Sequence, residues 1–145
     1  MEDKDYENIT CIIKKLKTKN SETKYLIKCN TKHKLLWIRL NDLLFYEVNV
    51  KKLEKDFSAR GSIGINIPEK VLEVVTSEDD GVYALIEWSF NQSENIQPVS
   101  SYINTKELRP IYADLLIDFY ESKLVVYKKN NDKYDSQYSC YDIST

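Results

Sequence analysis

Apolar positions along this chain recur with the two-residue period of strands and then with the three-to-four-residue spacing of a helix, and they do so twice. "ITCIIKKL", "KYLIKC" and "KLLWIRL" are short β-rich runs, the first two joined by the polar turn "KTKNSET". "DLLFYEVNVKKLEKDF" then closes as a helix through Val50, Leu53, Glu54 and Phe57. The same order returns in the second half. Val71, Leu72, Val74 and Val75 make one β-rich run, "SEDDG" is a turn, and "VYALIEW" is the returning strand. Asp80-Gly81 supplies the positive-φ pair that tight hairpins favour. Gln97-Pro98-Val99 predicts the opening of a third short strand. Ala113, Leu116, Ile117, Tyr120 and Leu124 follow at helical spacing and define one helix face, while Leu115 and Phe119 lie on another side. One small sheet covers only one side of such a helix, so the second apolar side calls for a further partner.

Between the halves lies "SARGSIGINIPEK", with Gly61, Gly64 and Pro68, which reads as a linker. It is only about ten residues long, so the two units should touch or nearly touch. The pattern predicts an α+β chain made by internal duplication of a module of 50 to 60 residues. Each of the two small modules is expected to be a curved three-stranded antiparallel sheet packed by a C-terminal helix. The expected units are residues 1–60, residues 61–130 and a polar, Tyr-rich tail at 131–145. A single α+β domain using all the strands is the competing arrangement. The tail lacks either periodicity and reads as a mobile end or as a segment that orders against a partner.

Composition narrows the function classes. The chain has 145 residues, 42% hydrophobic and 30% charged, as expected of a soluble globular protein. No apolar run approaches the roughly 18 residues of a membrane span, and the acidic "MEDKDYENIT" does not resemble a secretory signal. Asn8-Ile9-Thr10 and Asn91-Gln92-Ser93 match the glycosylation pattern, which is idle without secretion. Cys11, Cys29 and Cys140 are odd in number and lack metal-ligand spacing, which reads as reduced thiols; a Cys11–Cys29 bridge between neighbouring strands stays open. His33 is the one histidine, and its neighbours offer no second ligand. No nucleophile–histidine pair, Gly-rich phosphate loop or metal cluster appears, so the expectation is a protein that is not an enzyme and uses no cofactor or metal. Charge divides the chain: residues 1–60 carry 14 basic against 9 acidic side chains, residues 61–145 carry 7 against 14. The basic run Lys14, Lys15, Lys17 and Lys19, with Lys24, Lys28, Lys32 and Lys34, suits nucleic-acid phosphates or an acidic protein.

The second unit resembles a chromo shadow domain, the C-terminal module of the heterochromatin protein one family. The resemblance is carried by "PEKVLEVV", "ALIEW", "NIQPVSSYI" and, most specifically, "LLIDFYESKL". It covers about 60 residues, and "INTKELRP" looks like extra residues before the helix. The first unit is similar to a degenerate chromodomain, with "TKYLIKC" where chromodomains have "EYLLKW" and Trp37 in place of a later Trp. The resemblance implies a protein of nuclear chromatin. It also locates the aromatic cage with which chromodomains read methylated lysine. Here Thr10, Cys29 and the stretch "NTKHK" fall at those positions in the first unit, and Asn66, Trp88 and Asn91 in the second, so no complete cage is expected. Trp37 and Trp88 then read as core residues.

Shadow domains dimerise through the last helix. The resemblance therefore implies a dimer face of Ile117, Tyr120 and Leu124, with Ala113 and Leu116 at its edge, unless the first module covers that face within the chain. It further implies a groove for extended Pro-x-Val-x-Leu peptides, gripped by a Trp just after the helix. Val126 stands at that position, with Tyr127 one residue out of register, so Phe119, Val126 and Tyr127 are the expected partner-binding residues and the usual peptide preference is in doubt. The reading is a non-catalytic chromatin adaptor that dimerises or pairs its modules and docks a chromatin-associated protein, with no membrane role. Its alternative is a nucleic-acid-binding protein acting through the basic first module.

Overall fold

The computed structural model describes residues 3–30, 34–77 and 81–130; His33, Cys140, the turn acids Glu78, Asp79 and Asp80, and the tail at 131–145 lie outside the described residues. The protein is α+β, with two three-stranded antiparallel sheets. A 3₁₀ turn, Asp3–Asn8, leads into β1 (Ile9–Lys17), β2 (Thr23–Cys29) and β3 (Lys34–Arg39). Helices α1 (Leu40–Phe45) and α2 (Val50–Ser58) close this module. The second module runs β4 (Pro68–Ser77), β5 (Gly81–Trp88), β6 (Ser101–Asn104) and α3 (Thr105–Asn130).

The duplication read from the sequence is visible in the strand register. The pairs Ile9↔Cys29 and Ile12↔Ile27 recur as Pro68↔Trp88 and Val71↔Ile86, a shift of 59 residues on both strands. The irregularities recur at the same shift. β1 slips after Ile9 and after Ile12; β4 slips after Pro68 and after Val71. Each extra residue bends its strand and increases its twist, which curves both sheets toward their helices. The third strands are displaced further, since Tyr25↔Ile38 corresponds to Ala84↔Ile103, and the difference is taken up before β6 by a tight loop closed by Asn91 and Ile96. α3 corresponds to α1 and α2 fused. Its backbone leaves helical geometry at Tyr112, two residues after Pro110.

Each module has a core between sheet and helices. Ile12, Tyr25, Ile27, Cys29 and Ile38 pack against Leu43 of α1 and Leu53 of α2. Val71, Ala84, Ile86, Trp88 and Ile103 pack against Leu108 and Leu116 of α3. A third cluster joins the modules: Ile13, Leu26 and Leu35 of the first sheet meet Val75 and Tyr83 of the second. These residues alternate with the helix-facing ones, so the two sheets stack by their other faces, β3 over β4 and β1 over β6. The layers are helix, sheet, sheet, helix. This explains why β2 buries five consecutive residues, from Tyr25 to Cys29: both of its faces are covered.

Two local expectations change. The third strand of the second module is Ser101–Asn104, not a strand opening at Gln97, and the residues expected to precede the helix supply that strand and the first turns of α3. The expected linker is a docked segment. Val99 donates to the Ala59 carbonyl at 2.9 Å, Gly61 donates to the Val99 carbonyl at 3.1 Å, and Ser101 Oγ donates to the Gly61 carbonyl at 2.9 Å. Gly61 lies against the indole of Trp88 so closely that a Cβ there would overlap ring atoms.

Candidate docking face on the last helix

α3 rests on all three strands of the second sheet. Leu108 and Leu116 face the sheet and are buried, and Tyr112, Leu115 and Phe119 pack beside them. Successive helical residues are about 100° apart, so the neighbours of this row turn outward. Ile117 is 52% exposed and Tyr120 46% exposed, with Ala113 and Leu124 half-buried on the same side. Ile111, before the kink, is 70% exposed. Asp114, Asp118 and Glu121 border the stripe and are exposed. The stripe is therefore apolar at its centre and acidic along one side.

The expected dimer residues divide accordingly. Ile117, Tyr120, Leu124 and Ala113 share the solvent side. Leu116 does not: it is 7% exposed inside the chain's own core, because its position on the helix points at the sheet. Phe119 is also engaged at home. Its ring packs against the core, meets Tyr120 edge-on at 5.6 Å between centroids and lies under the Lys123 ammonium at 5.4 Å. For Val126 and Tyr127 the backbone continues α3, while their side chains lie outside the described set. The described residues of the first module are engaged on the opposite face of the second sheet, away from the stripe.

The cage positions carry other work. Trp88 is 1% exposed and donates from Nε1 to Ser101 Oγ at 2.9 Å. Asn66 and Asn91 accept turn hydrogen bonds from the Ser62 and Glu94 amides. Cys29 is fully buried, and Thr10 Oγ1 donates to the Lys28 carbonyl at 3.1 Å. Trp37 differs from its expected core role, being 40% exposed on β3.

The basic run of β1 is not one patch. The register places Lys14 opposite Leu26, on the seam side, and Lys15 and Lys17 opposite Tyr25 and Thr23, on the helix side. The Lys14 ammonium lies 5.5 Å from the centre of the Tyr83 ring, across the seam. Lys15 pairs with Glu54 at 2.9 Å and lies over Tyr25, while Lys19 sits exposed in the turn after the strand. Tyr25 donates to the same Glu54 carboxylate at 2.5 Å, which holds that carboxyl below its usual range; burial and this partner push the Tyr25 hydroxyl up to about 12.

One polar group escaped the sequence reading. Lys28, expected on the surface, is 1% exposed in the seam, with its ammonium 3.8 Å from Glu73 of β4. Tyr102 of β6 donates to the other oxygen of Glu73 at 2.9 Å, and its hydroxyl is pushed up by burial and by that carboxylate. Cys11 adjoins this group, with its thiol pushed up to about 11 by burial. The one signal in the sequence was "YLIKC", too continuously apolar for a strand with an open face.

No family model, curated protein or solved structure matches the chain.

Proposed function

We propose that the protein is a non-catalytic chromatin adaptor that self-associates through the outward stripe of α3 and docks a partner protein beside it. The observation that carries this reading is a helix with two apolar sides, one held by its own sheet and the other at the surface while the first module is engaged elsewhere. The resemblance of residues 61–130 to chromo shadow domains supports the assignment to nuclear chromatin. Ile117, Tyr120 and Leu124 form the centre of the contact, with Ala113 allowing close approach of a second helix. Three large side chains fall short of the roughly 800 Å² per partner of a standard interface, so self-association belongs in the micromolar range. With Val126 where the family has Trp, a Pro-x-Val-x-Leu peptide binds weakly and a folded or helical partner binds more tightly.

Sedimentation equilibrium across the micromolar range tests the self-association. Wild type is expected to approach a dimer mass, and Ile117→Glu to weaken association by more than tenfold, about 1.4 kcal/mol, with unchanged circular dichroism. A wild-type protein that stays monomeric throughout ends this reading.

A further inference from the structure

Apart from Lys14 and Lys28, which lie at the seam, part of the first module's basic charge gathers on its outer layer. Lys15 and Lys17 project from β1 on the helix side, and α2 lies along that strand. Lys51 precedes Glu54 by one turn and Lys55 follows it, and all four lysines are exposed. The Lys15–Glu54 contact ties strand and helix into one surface. Glu54 is the acid at its centre, already engaged by Lys15 and Tyr25. Asp56 falls on the opposite side of α2, against the groove beside Lys52. Two strand residues span about 6.6 Å and four helix residues about 6 Å, so each element contributes two closely spaced lysines.

We infer that this outer face, made by Lys15 and Lys17 of β1 with Lys51 and Lys55 of α2, binds the phosphate backbone of duplex nucleic acid. It does so independently of the α3 docking face. The choice of a duplex rests on the aromatic residues of this face. Tyr25 is buried beneath Lys15, and the Arg60 guanidinium covers Phe57 at 3.8 Å. Neither ring is open to a base, so the face lacks the stacking platform that single strands use. What remains is charge, which reads phosphates without regard to sequence. The face differs from the linear run Lys14 to Lys19, because strand alternation sends Lys14 to the seam and α2 contributes half of the charge.

Fluorescence anisotropy with an arbitrary-sequence DNA duplex tests this, using the full chain in the Ile117→Glu background so that self-association does not double the contacts. Lys15 is already paired with Glu54, so three neutralised phosphates give a slope of log K against log salt of about −2.7, and affinity drops about fortyfold between about 50 and 200 mM salt. Lys17→Gln, Lys51→Gln and Lys55→Gln together are expected to flatten the slope by about 2.7, because each lost contact removes about 0.9. Lys70→Gln, Lys106→Gln and Arg109→Gln, which remove the same charge from the second module, leave it in place. Three results each overturn the inference: no duplex binding at low salt, equal weakening by both triple variants, or a polyglutamate peptide bound as tightly as the duplex at equal ionic strength. The last would make the face a site for an acidic protein instead.

Discussion

Replacing Gly61 by alanine separates a docked segment from a linker. In a free linker the substitution stabilises slightly, by about 0.4–1 kcal/mol, because it restricts the unfolded chain. Here the new methyl group would overlap the Trp88 ring. Neither side has room to yield. The indole is 1% exposed and held through Nε1 by Ser101, while the Gly61 amide and carbonyl are bonded to Val99 and Ser101. Forcing a methyl group into a packed core costs about 1–3 kcal/mol. Displacing the segment instead gives up two hydrogen bonds at about 1 kcal/mol each. Both routes converge on destabilisation of about 2–3 kcal/mol. At about 2–4 °C per kcal/mol for a chain of this size, the expected loss in Tm is 4–12 °C. Thermal and urea unfolding followed by fluorescence measure it. Gly64→Ala is the companion variant: that site has a φ of +90° and open space, so its cost comes from backbone strain alone, about 1 kcal/mol. A Gly61→Ala protein as stable as wild type, or more so, would refute the docking of this segment.

Further outcomes follow from the seam, the outer layer and the last helix. Because Lys28 is buried and Glu73 is 37% exposed, Glu73→Ala should cost about 3 kcal/mol by stranding the ammonium, whereas Lys28→Met costs under about 1; urea midpoints in the reverse order would contradict the seam as described. Tyr25→Phe should cost about 1 kcal/mol at neutral pH after allowance for solvent screening. The depressed Glu54 carboxyl makes that contribution present at neutral pH and lost as pH falls through its folded value, and the raised Tyr25 hydroxyl makes it disappear again as pH rises toward 12. A wild-type-minus-variant stability that stays flat from acid to alkaline pH would count against this pairing. In dilute solution Leu116→Ala should destabilise by about 2–5 kcal/mol and Ile117→Ala by under about 0.5, which chemical denaturation reads directly; comparable losses would mean that the helix is rotated from the position described.

Much of the architecture is local in origin and was legible in the sequence. Alternation in "VYALIEW" and the apolar spacing in α3 each state an element and its period, and their repetition states the duplication. Period reports which side chains share a face. It does not report what that face meets. The stacking of the two sheets was therefore not predictable from pattern, since Leu26 and Val75 read as the second face of their strands until each supplied the other's cover. The same holds for Lys28, whose charge marked it for the surface and whose burial depends on Glu73, distant in sequence and adjacent only after the sheets stack. β1 shows a third limit. A slip after Ile12 exchanges the faces that strict alternation would give Lys14 and Lys15, and one residue of register decides every side chain beyond it. In α3 the apolar positions were evident but their destinations were not. Leu116 and Ile117 are neighbours of like hydrophobicity; the kink at Tyr112 and the seating of the helix on β4, β5 and β6 sent one to the core and left the other at the surface. The sequence determined the elements, because propensity and period act within a few residues. The tertiary structure decided which apolar and charged faces were consumed inside the molecule, because burial depends on surfaces that meet only after the chain has folded.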